Sequence, residues 1–297
     1  MWNLTVLAQQ IPISTIFMEN PFAFNPAIAG TDNKFLLRVN HRSQWLGFAD
    51  APITEQFSAF GPTKTRNLGY GGNINFDKTG PISTLKLNGA FASNFAINFD
   101  MRVSFGLNLG LIQYRADGTV FELYDPEPDP RAPQTVMAKF LPDGGAGVYV
   151  YHNDWYVGLS AQQLFNNNLK LAPGSEDSKR NRLRTHFYGY AGYKFADGVM
   201  KNLVVEPSVL IRKVVANPMQ LDLSTRVIIK QRFWGGLSAR NTFESFNDLS
   251  LLVGYLHNKT LQVSLAYDFT FAQIRSYTAG TIELVLGYNF DSWKSSR

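Results

Sequence analysis

Short segments of alternating side-chain character are the feature that most constrains the fold of this chain. Within residues 35–42, one face carries the apolar residues Phe35, Leu37 and Val39. The other face carries the polar residues Arg38, Asn40 and Arg42. This is the period of a β-strand with one apolar and one polar face. Runs of about ten residues with this pattern recur about fourteen times along the chain. No helical period persists, and no stretch approaches the roughly 18 apolar residues of a membrane-spanning helix. The pattern predicts an all-β fold.

The connections between these segments differ in length in a regular way. Some are very short and contain hairpin residues, such as residues 152–154, 257–259 and the pair Asp197-Gly198. The predicted long connections are residues 44–52, 77–83, 115–142, 164–182, 214–218, 241–247 and 272–279. Because short and long connections alternate, the sequence predicts a transmembrane up-and-down antiparallel β-barrel of about 14 strands, with short periplasmic turns and long extracellular loops. An even strand count then places both termini on the periplasmic side.

Composition is consistent with a strand surface that faces lipid. Aromatic residues are abundant (Phe 23, Tyr 13, Trp 5), whereas charged residues make up 17% of the chain. Composition alone also allows a soluble β-sandwich, and the sorting of the loops favours the barrel. The net charge of +5 is not gathered into a basic stripe, which argues against nucleic acid as a partner. The absence of cysteine excludes disulfides and thiolate metal sites.

The chain divides into a barrel and its flanking segments. We interpret residues 1–8 as the remnant of a signal peptide cut after Ala8, or as a disordered start. Residues 9–34 form an N-terminal segment that lies in the periplasm or folds into the lumen as a plug, with Asn25 and Pro26 as candidate plug residues. The barrel covers residues 35–290, and residues 291–297 form a C-terminal tail.

The polar faces of the strands predict a charged, hydrated interior. Those expected to face the lumen are Arg38, Arg42, Arg102, Glu206, Arg212, Asp222, Arg226, Arg240, Asp268 and Glu283. Among them, Arg38, Arg102, Arg226 and Glu283 are the candidates for contact with a plug. Paired internal charges are common in large barrels, and a selective path for a solute is the alternative.

A set of motifs near the N-terminus resembles a known family. They are Asn25-Pro26-Ala27-x-Ala29-Gly30, residues 42–48 (RSQWLGF), residues 51–54 (APIT), residues 67–69 (NLG) and residues 77–81 (DKTGP). In order and spacing they resemble the PorP/SprF-type outer-membrane proteins, which are associated with type IX secretion and gliding motility. The resemblance implies an outer-membrane protein of a Gram-negative bacterium that is not an enzyme and holds no cofactor or metal.

The resemblance also implies a partner. Such a barrel would anchor, or help to export, a surface protein such as an adhesin that bears a type IX secretion C-terminal domain, together with other secretion-system or periplasmic components. The candidate partner-binding residues are Arg42, Gln44, Trp45, Phe48, Pro52, Asp77 and Lys78. Exposed rigid aromatic side chains are typical interface anchors, although Trp45 and Phe48 also suit the aromatic girdle of a barrel.

Two other readings of function follow from the sequence. The first is an outer-membrane channel or transporter for small or hydrophobic solutes. The second is catalysis or cation binding, which has weak support. His41, His152, His186 and His257 lie on separate elements without metal-ligand spacing or a serine and acid partner. The acidic stretch Asp125–Arg131 does not match a calcium loop, and residues 174–180 are interpreted as a loop tip.

Overall fold

A computed structural model describes residues 13–64, 67–118, 135–169, 182–196, 202–215, 217–242 and 245–291. The predictions that fall on other residues lie outside this part of the chain: the signal-peptide remnant, the acidic stretch Asp125–Arg131, the tip at residues 174–180, and residues 292–297 of the tail. No helix among the described residues is long and apolar enough to cross a membrane.

The described strands form one closed antiparallel barrel. Their bounds are β1 Lys34–Ser43, β2 Ile53–Pro62, β3 Leu68–Thr79, β4 Ile82–Ala96, β5 Arg102–Asp117, β6 Val136–Tyr151, β7 Trp155–Gln162, β8 His186–Tyr193, β9 Phe195–Ala196, β10 Leu203–Val214, β11 Gln220–Ile229, β12 Phe233–Thr242, β13 Ser245–His257, β14 Leu261–Thr270 and β15 Thr281–Asp291. Apart from β8 and β9, each strand pairs with its neighbours in sequence, and β15 pairs with β1 to close the wall. Because β8 and β9 both pair with β10, they act as one strand, which gives the predicted fourteen. The predicted fold is confirmed.

The two faces of the wall have opposite chemistry. Leu107 and Leu109 of β5 point outward and are 66% and 67% exposed. Arg38 and Arg42 of β1 point inward and are 6% and 2% exposed. An outward apolar row suits hydrocarbon, and closure leaves no strand edge with unpaired backbone groups in the membrane. The alternation along each strand therefore indicates that one face of the wall contacts lipid and the other faces an enclosed interior.

The barrel has two unlike ends. At one end, which we call the long-loop end, the longest stretches of sequence separate β1 from β2, β5 from β6, β7 from β8 and β14 from β15. At the other, the short-turn end, the connections include residues 97–101 and 152–154. The expectation that every connection at the first end is long is wrong.

Two hairpins at the long-loop end are tight. Gly80 and Pro81 alone join β3 to β4, and pairing extends to Thr79 opposite Ile82. Likewise, β12 and β13 remain paired up to Thr242 opposite Ser245. Gly80 has φ +54°, a conformation that a tight turn requires and that glycine tolerates. The polar residues that the sequence pattern assigned to loops belong to strands, and these strands extend beyond the apolar outer surface of the barrel.

An N-terminal segment, residues 13–31, lies inside the barrel; we call it the lumenal segment. It contains three short 3-10 helices, Phe17–Glu19, Pro21–Ala23 and Pro26–Ile28. Thr15 bonds to Glu283 near the start of β15, which is at the long-loop end. The segment then crosses the lumen and enters β1 at the short-turn end. The described chain thus begins at the opposite end from the one predicted for the N-terminus.

Candidate functional site

Aromatic packing holds the lumenal segment against the wall. Phe22 stacks on Phe60 of β2 with ring centroids 4.5 Å apart. Phe24 lies between two tyrosines of β8, with its centroid 5.5 Å from that of Tyr188 and 5.2 Å from that of Tyr190. Aromatic pairs at such distances contribute about 0.5–1.5 kcal/mol each beyond the area that they bury. The interior therefore has an apolar side, which the prediction of a charged, hydrated interior did not include.

Asn25 connects the segment to three strands. Its Oδ1 accepts a hydrogen bond from the Ala27 backbone N–H at 2.9 Å, which caps the helix that Pro26 begins. Its Nδ2 lies 3.1 Å from the Val148 carbonyl oxygen of β6, 3.5 Å from the Leu159 carbonyl oxygen of β7 and 3.1 Å from the Tyr190 hydroxyl of β8. The Asn-Pro motif thus shapes a turn and ties that turn to the wall, and both residues are buried.

Glycines in the wall leave room for this segment. A Cβ atom at Gly106 of β5 would overlap the backbone of Ala27, and one at Gly69 of β3 would overlap the carbonyl group of Ala29. Gly89 of β4 differs, because no atom lies within 4 Å of a Cβ built there. Glycine at the first two positions is therefore explained by the close approach of the lumenal segment.

This difference gives a testable prediction. We expect Gly106→Ala to lower the free energy of unfolding by about 1–3 kcal/mol, because the added methyl group overpacks the contact with Ala27. Gly89→Ala is the matched control and should change it little. Urea or thermal unfolding of the folded barrels in detergent measures both. Equal stability of the two variants would show that the segment does not rest against this wall.

A buried ion network holds the start of the lumenal segment, around Thr15, at the long-loop end of the barrel. Arg42 bonds to Asp268 and to Glu283, each at 2.7 Å. The Thr15 hydroxyl accepts hydrogen bonds from Arg42 and Arg240, each at 2.9 Å, and lies 2.9 Å from Asp268 Oδ2, to which it donates. Each charge has opposite charges and hydrogen bonds around it, which offsets part of the cost of its burial.

A second charged cluster lies in the lumen nearer the short-turn end of the barrel. Arg226 of β11 pairs with Glu19 of the lumenal segment and with Glu206 of β10, the latter at 3.0 Å. Arg38 donates to the Glu19 carbonyl oxygen at 3.1 Å. Arg102 instead bonds to Asn94 at 2.9 Å, close to the short-turn end. Thus Arg38, Arg226 and Glu283 contact the lumenal segment, and no such contact is shown for Arg102.

The loop of residues 44–52 is held in one shape at the long-loop end. The Leu46 N–H donates to the Gly280 carbonyl oxygen at 2.8 Å, and the Ala279 N–H donates to the Leu46 carbonyl oxygen at 2.8 Å. Trp45 and Asp50 have positive φ values of 49° and 54°, which are uncommon for such residues. Backbone pairing with residues 271–280 fixes this conformation, which no pattern in residues 44–52 predicts.

The predicted partner-binding residues divide by exposure. Phe48 is 49% exposed, and Gln44 and Trp45 are half-buried beside it. Arg42 and Pro52 are buried, so they are not available at the surface, and this corrects their predicted placement.

Asp77 and Lys78 are also corrected, because both lie in β3 rather than in a loop. Asp77 accepts a hydrogen bond from Thr54 at 2.6 Å. Lys78 is exposed.

The four histidines lie on separate elements of the barrel. His41 pairs with Glu55 at 2.6 Å, and His186 bonds to the Arg184 carbonyl oxygen at 2.8 Å. His152 and His257 lie at the short-turn end. No cluster of potential metal ligands was found within the described ranges.

Solved structures with the same architecture are outer-membrane barrels. The chain superimposes on a Pseudomonas aeruginosa FadL homologue with TM-score 0.51 and 14% identity, over 91% of this chain and 94% of that one. For the CymD monoaromatic hydrocarbon channel, the TM-score is 0.54 and the identity 11%, over 94% of this chain and 93% of the channel. For a mutant of the TodX monoaromatic hydrocarbon channel, the TM-score is 0.53 and the identity 9%, over 90% of this chain and 93% of the channel. At these identities the likeness concerns the fold alone.

Sequence comparison identifies the family. No curated protein matches the chain. The family described as type IX secretion system membrane protein PorP/SprF matches residues 6–288. Because that match spans nearly the whole barrel, the chain belongs to the PorP/SprF family of type IX secretion system membrane proteins and lies in the outer membrane of a Gram-negative bacterium.

Proposed function

We propose that this barrel anchors an exported protein at the cell surface through its long-loop end, or assists its export there. The partner is a secreted surface protein that carries a type IX secretion C-terminal domain, and an adhesin partner would give the barrel a role in gliding motility. The observation that carries the proposal is the braced loop of residues 44–52, which presents Phe48 at 49% exposure within the described part of the chain. A preorganised aromatic side chain binds a partner at low entropic cost.

The filled interior of the barrel favours a role as an anchor over a role in solute transport. The lumenal segment packs Phe17, Phe22 and Phe24 into the lumen, and all three are buried. Aromatic rings and paired charges in that position leave little room for a continuous aqueous path. We therefore propose a plugged, non-enzymatic barrel whose wall fixes the loops and whose loops hold the partner. The fold likeness to hydrocarbon channels does not carry their transport activity to this chain.

Removal of the exposed aromatic group tests the docking surface. We expect Trp45→Ala combined with Phe48→Ala to release the partner into the medium, because truncation of hot-spot aromatics costs about 2–4 kcal/mol each. The measurement is the partition of the partner between washed cells and medium, at equal amounts of folded barrel.

Phe99→Ala is the matched control for that experiment. Phe99 is fully exposed (106%) in the short turn at the opposite end of the barrel. It should leave surface retention unchanged. Full retention of the partner in the Trp45 and Phe48 double variant would exclude this loop as the docking surface.

A further inference from the structure

Two hairpin turns at the short-turn end carry exposed basic residues. Residues 230–232 join β11 to β12 and include Lys230 and Arg232, and residues 258–260 join β13 to β14 and include Lys259. All three basic residues are exposed. The backbones of Lys230 and Lys259 have φ values of 51° and 60°, a conformation that tight hairpin turns of this kind require. The two turns thus present cations at fixed points of the rim.

The two turns are neighbours along the rim, and the start of β1 continues the series. The Leu256 N–H donates to the Arg232 carbonyl oxygen at 2.7 Å, so the first turn lies against β13. The Nζ of Lys34, the first residue of β1, donates to the Lys259 carbonyl oxygen at 3.1 Å. Basic residues therefore follow one part of the rim, from β11 to β1. We call this part the basic arc; its members are Lys34, Lys230, Arg232 and Lys259.

Positive charge is concentrated on this side of the rim. The three cations of the two turns form no ion pair with a residue in the described ranges. Asp32 is the one carboxylate on the basic arc whose side chain the structure describes, and its Oδ1 accepts a hydrogen bond from the Lys34 backbone N–H at 3.1 Å. The turns after β4 and β6, on the opposite side of the barrel, present the exposed acidic residues Asp100 and Asp154 instead. This asymmetry favours an anionic ligand at the basic arc.

Aromatic rings next to the basic arc place it at the level of lipid headgroups. Phe233 and Tyr255 pack with ring centroids 4.7 Å apart beside the two turns, and the rings of Tyr288 and Phe290 lie 4.5 Å apart on β15. Rings in this position mark the boundary between hydrocarbon and headgroups. Arg232 directly precedes Phe233, and each strand residue rises about 3.3 Å. Because the headgroup layer is about 5–8 Å deep on each side of a bilayer, the cations lie at the depth of the lipid phosphates.

The ligand that matches both features is anionic at one end and apolar at the other. A free phosphate ion would contact the cations but not the aromatic rings. A water-soluble protein would not reach the rings, because they lie at the edge of the hydrocarbon. A phospholipid contacts both, and basic pockets on membrane proteins commonly bind anionic lipid headgroups.

We propose that the basic arc binds an anionic phospholipid, such as phosphatidylglycerol. Its phosphate lies among Lys230, Arg232 and Lys259, and its acyl chains lie against the adjoining aromatic rings. Because the short turns face the periplasm, this lipid belongs to the inner leaflet of the outer membrane. The site is separate from the proposed partner surface, which lies at the other end of the barrel.

Lipid titration of the detergent-purified barrel, followed by native mass spectrometry, tests the site. We expect phosphatidylglycerol to bind about tenfold more tightly than phosphatidylcholine with the same acyl chains, because each basic residue near an anionic headgroup adds to the affinity. Lys230→Gln combined with Arg232→Gln and Lys259→Gln should abolish this preference. These residues are exposed in turns, so the variant should still fold.

The matched control removes two lysines and one arginine at the long-loop end. It combines Arg115→Gln, Lys139→Gln and Lys213→Gln, and each of these side chains has a partner within the protein. We expect this variant to keep the preference for phosphatidylglycerol. Equal binding of the two lipids by the unmodified barrel, or an unchanged preference in the basic-arc variant, would overturn the proposal. Displacement of phosphatidylglycerol by an equal concentration of inorganic phosphate would also overturn it.

Photocrosslinking in intact cells distinguishes a lipid from a periplasmic protein. A photoreactive amino acid replaces Gln231, which is exposed between the two basic residues of its turn, or Asn153, which is exposed in the turn after β6. We expect the residue 231 probe to link phospholipid, and the residue 153 probe to link several-fold less of it. A link from residue 231 to a protein alone, or equal lipid links at the two positions, would contradict the proposal.

Discussion

Deletion of residues 13–31 is expected to turn a silent barrel into an ion-conducting pore. A closed wall of fourteen strands is wider than its own side chains fill, since eight-stranded barrels are just filled and those of 16–18 strands leave an aqueous channel. In this chain the lumenal segment occupies that space. Planar bilayer recordings measure the effect, and the unmodified protein should show no steady current.

A variant that keeps residues 13–31 tests the same expectation if the shortened chain does not assemble. Gly106→Ala combined with Gly69→Ala displaces Ala27 and Ala29 from the wall, so it should produce flickering openings where Gly89→Ala produces none. A steady open current from the unmodified barrel would support the channel reading instead. Silence of every variant that folds would show that other groups close the lumen.

The largest loss of stability is expected for Arg42→Ala. This change removes the cation that bonds to both Asp268 and Glu283, whose side chains are 1% and 0% exposed. Asp268 keeps Arg240 at 3.6 Å, whereas Glu283 is left with hydrogen bonds from uncharged groups such as Asn40. Breaking a buried ion pair from one side costs about 3–5 kcal/mol, because a charge is left without compensation. Unfolding by urea in detergent measures the loss, and release of Thr15 should accompany it.

Arg115→Ala is the matched control for the loss of an arginine. Its side chain is 52% exposed, and its nitrogen lies 3.8 Å from Asp117. Exposed pairs of this kind contribute about 0–1 kcal/mol, so its removal should change stability little. Similar losses for the two variants would mean that the Arg42 network does not hold the lumenal segment.

Period-2 alternation made the wall of the barrel predictable. The placement of Arg38 and Val39 on opposite faces follows from strand geometry and from the difference between lipid and water. The same rule misplaced the ends of β3 and β4. Asp77 and Lys78 look like loop residues because strands that extend beyond the hydrocarbon lose their apolar row, although their pairing continues.

The interior could not be predicted, since it depends on contacts between residues distant in the sequence. The segment around Thr15 has no periodic pattern, and its partners Asp268 and Glu283 lie more than 250 residues away. The inward tyrosines Tyr188 and Tyr190 follow the strand pattern but face aromatic groups instead of water. The brace on residues 44–52 likewise comes from the loop before the last strand.

The most direct test of the central proposal is a structure of the barrel purified from detergent-solubilised membranes together with its exported partner. We expect the partner to cover the long-loop end, with Phe48 in contact. Its presence at the short-turn end around Phe99, with the loop of residues 44–52 free, would contradict the proposal.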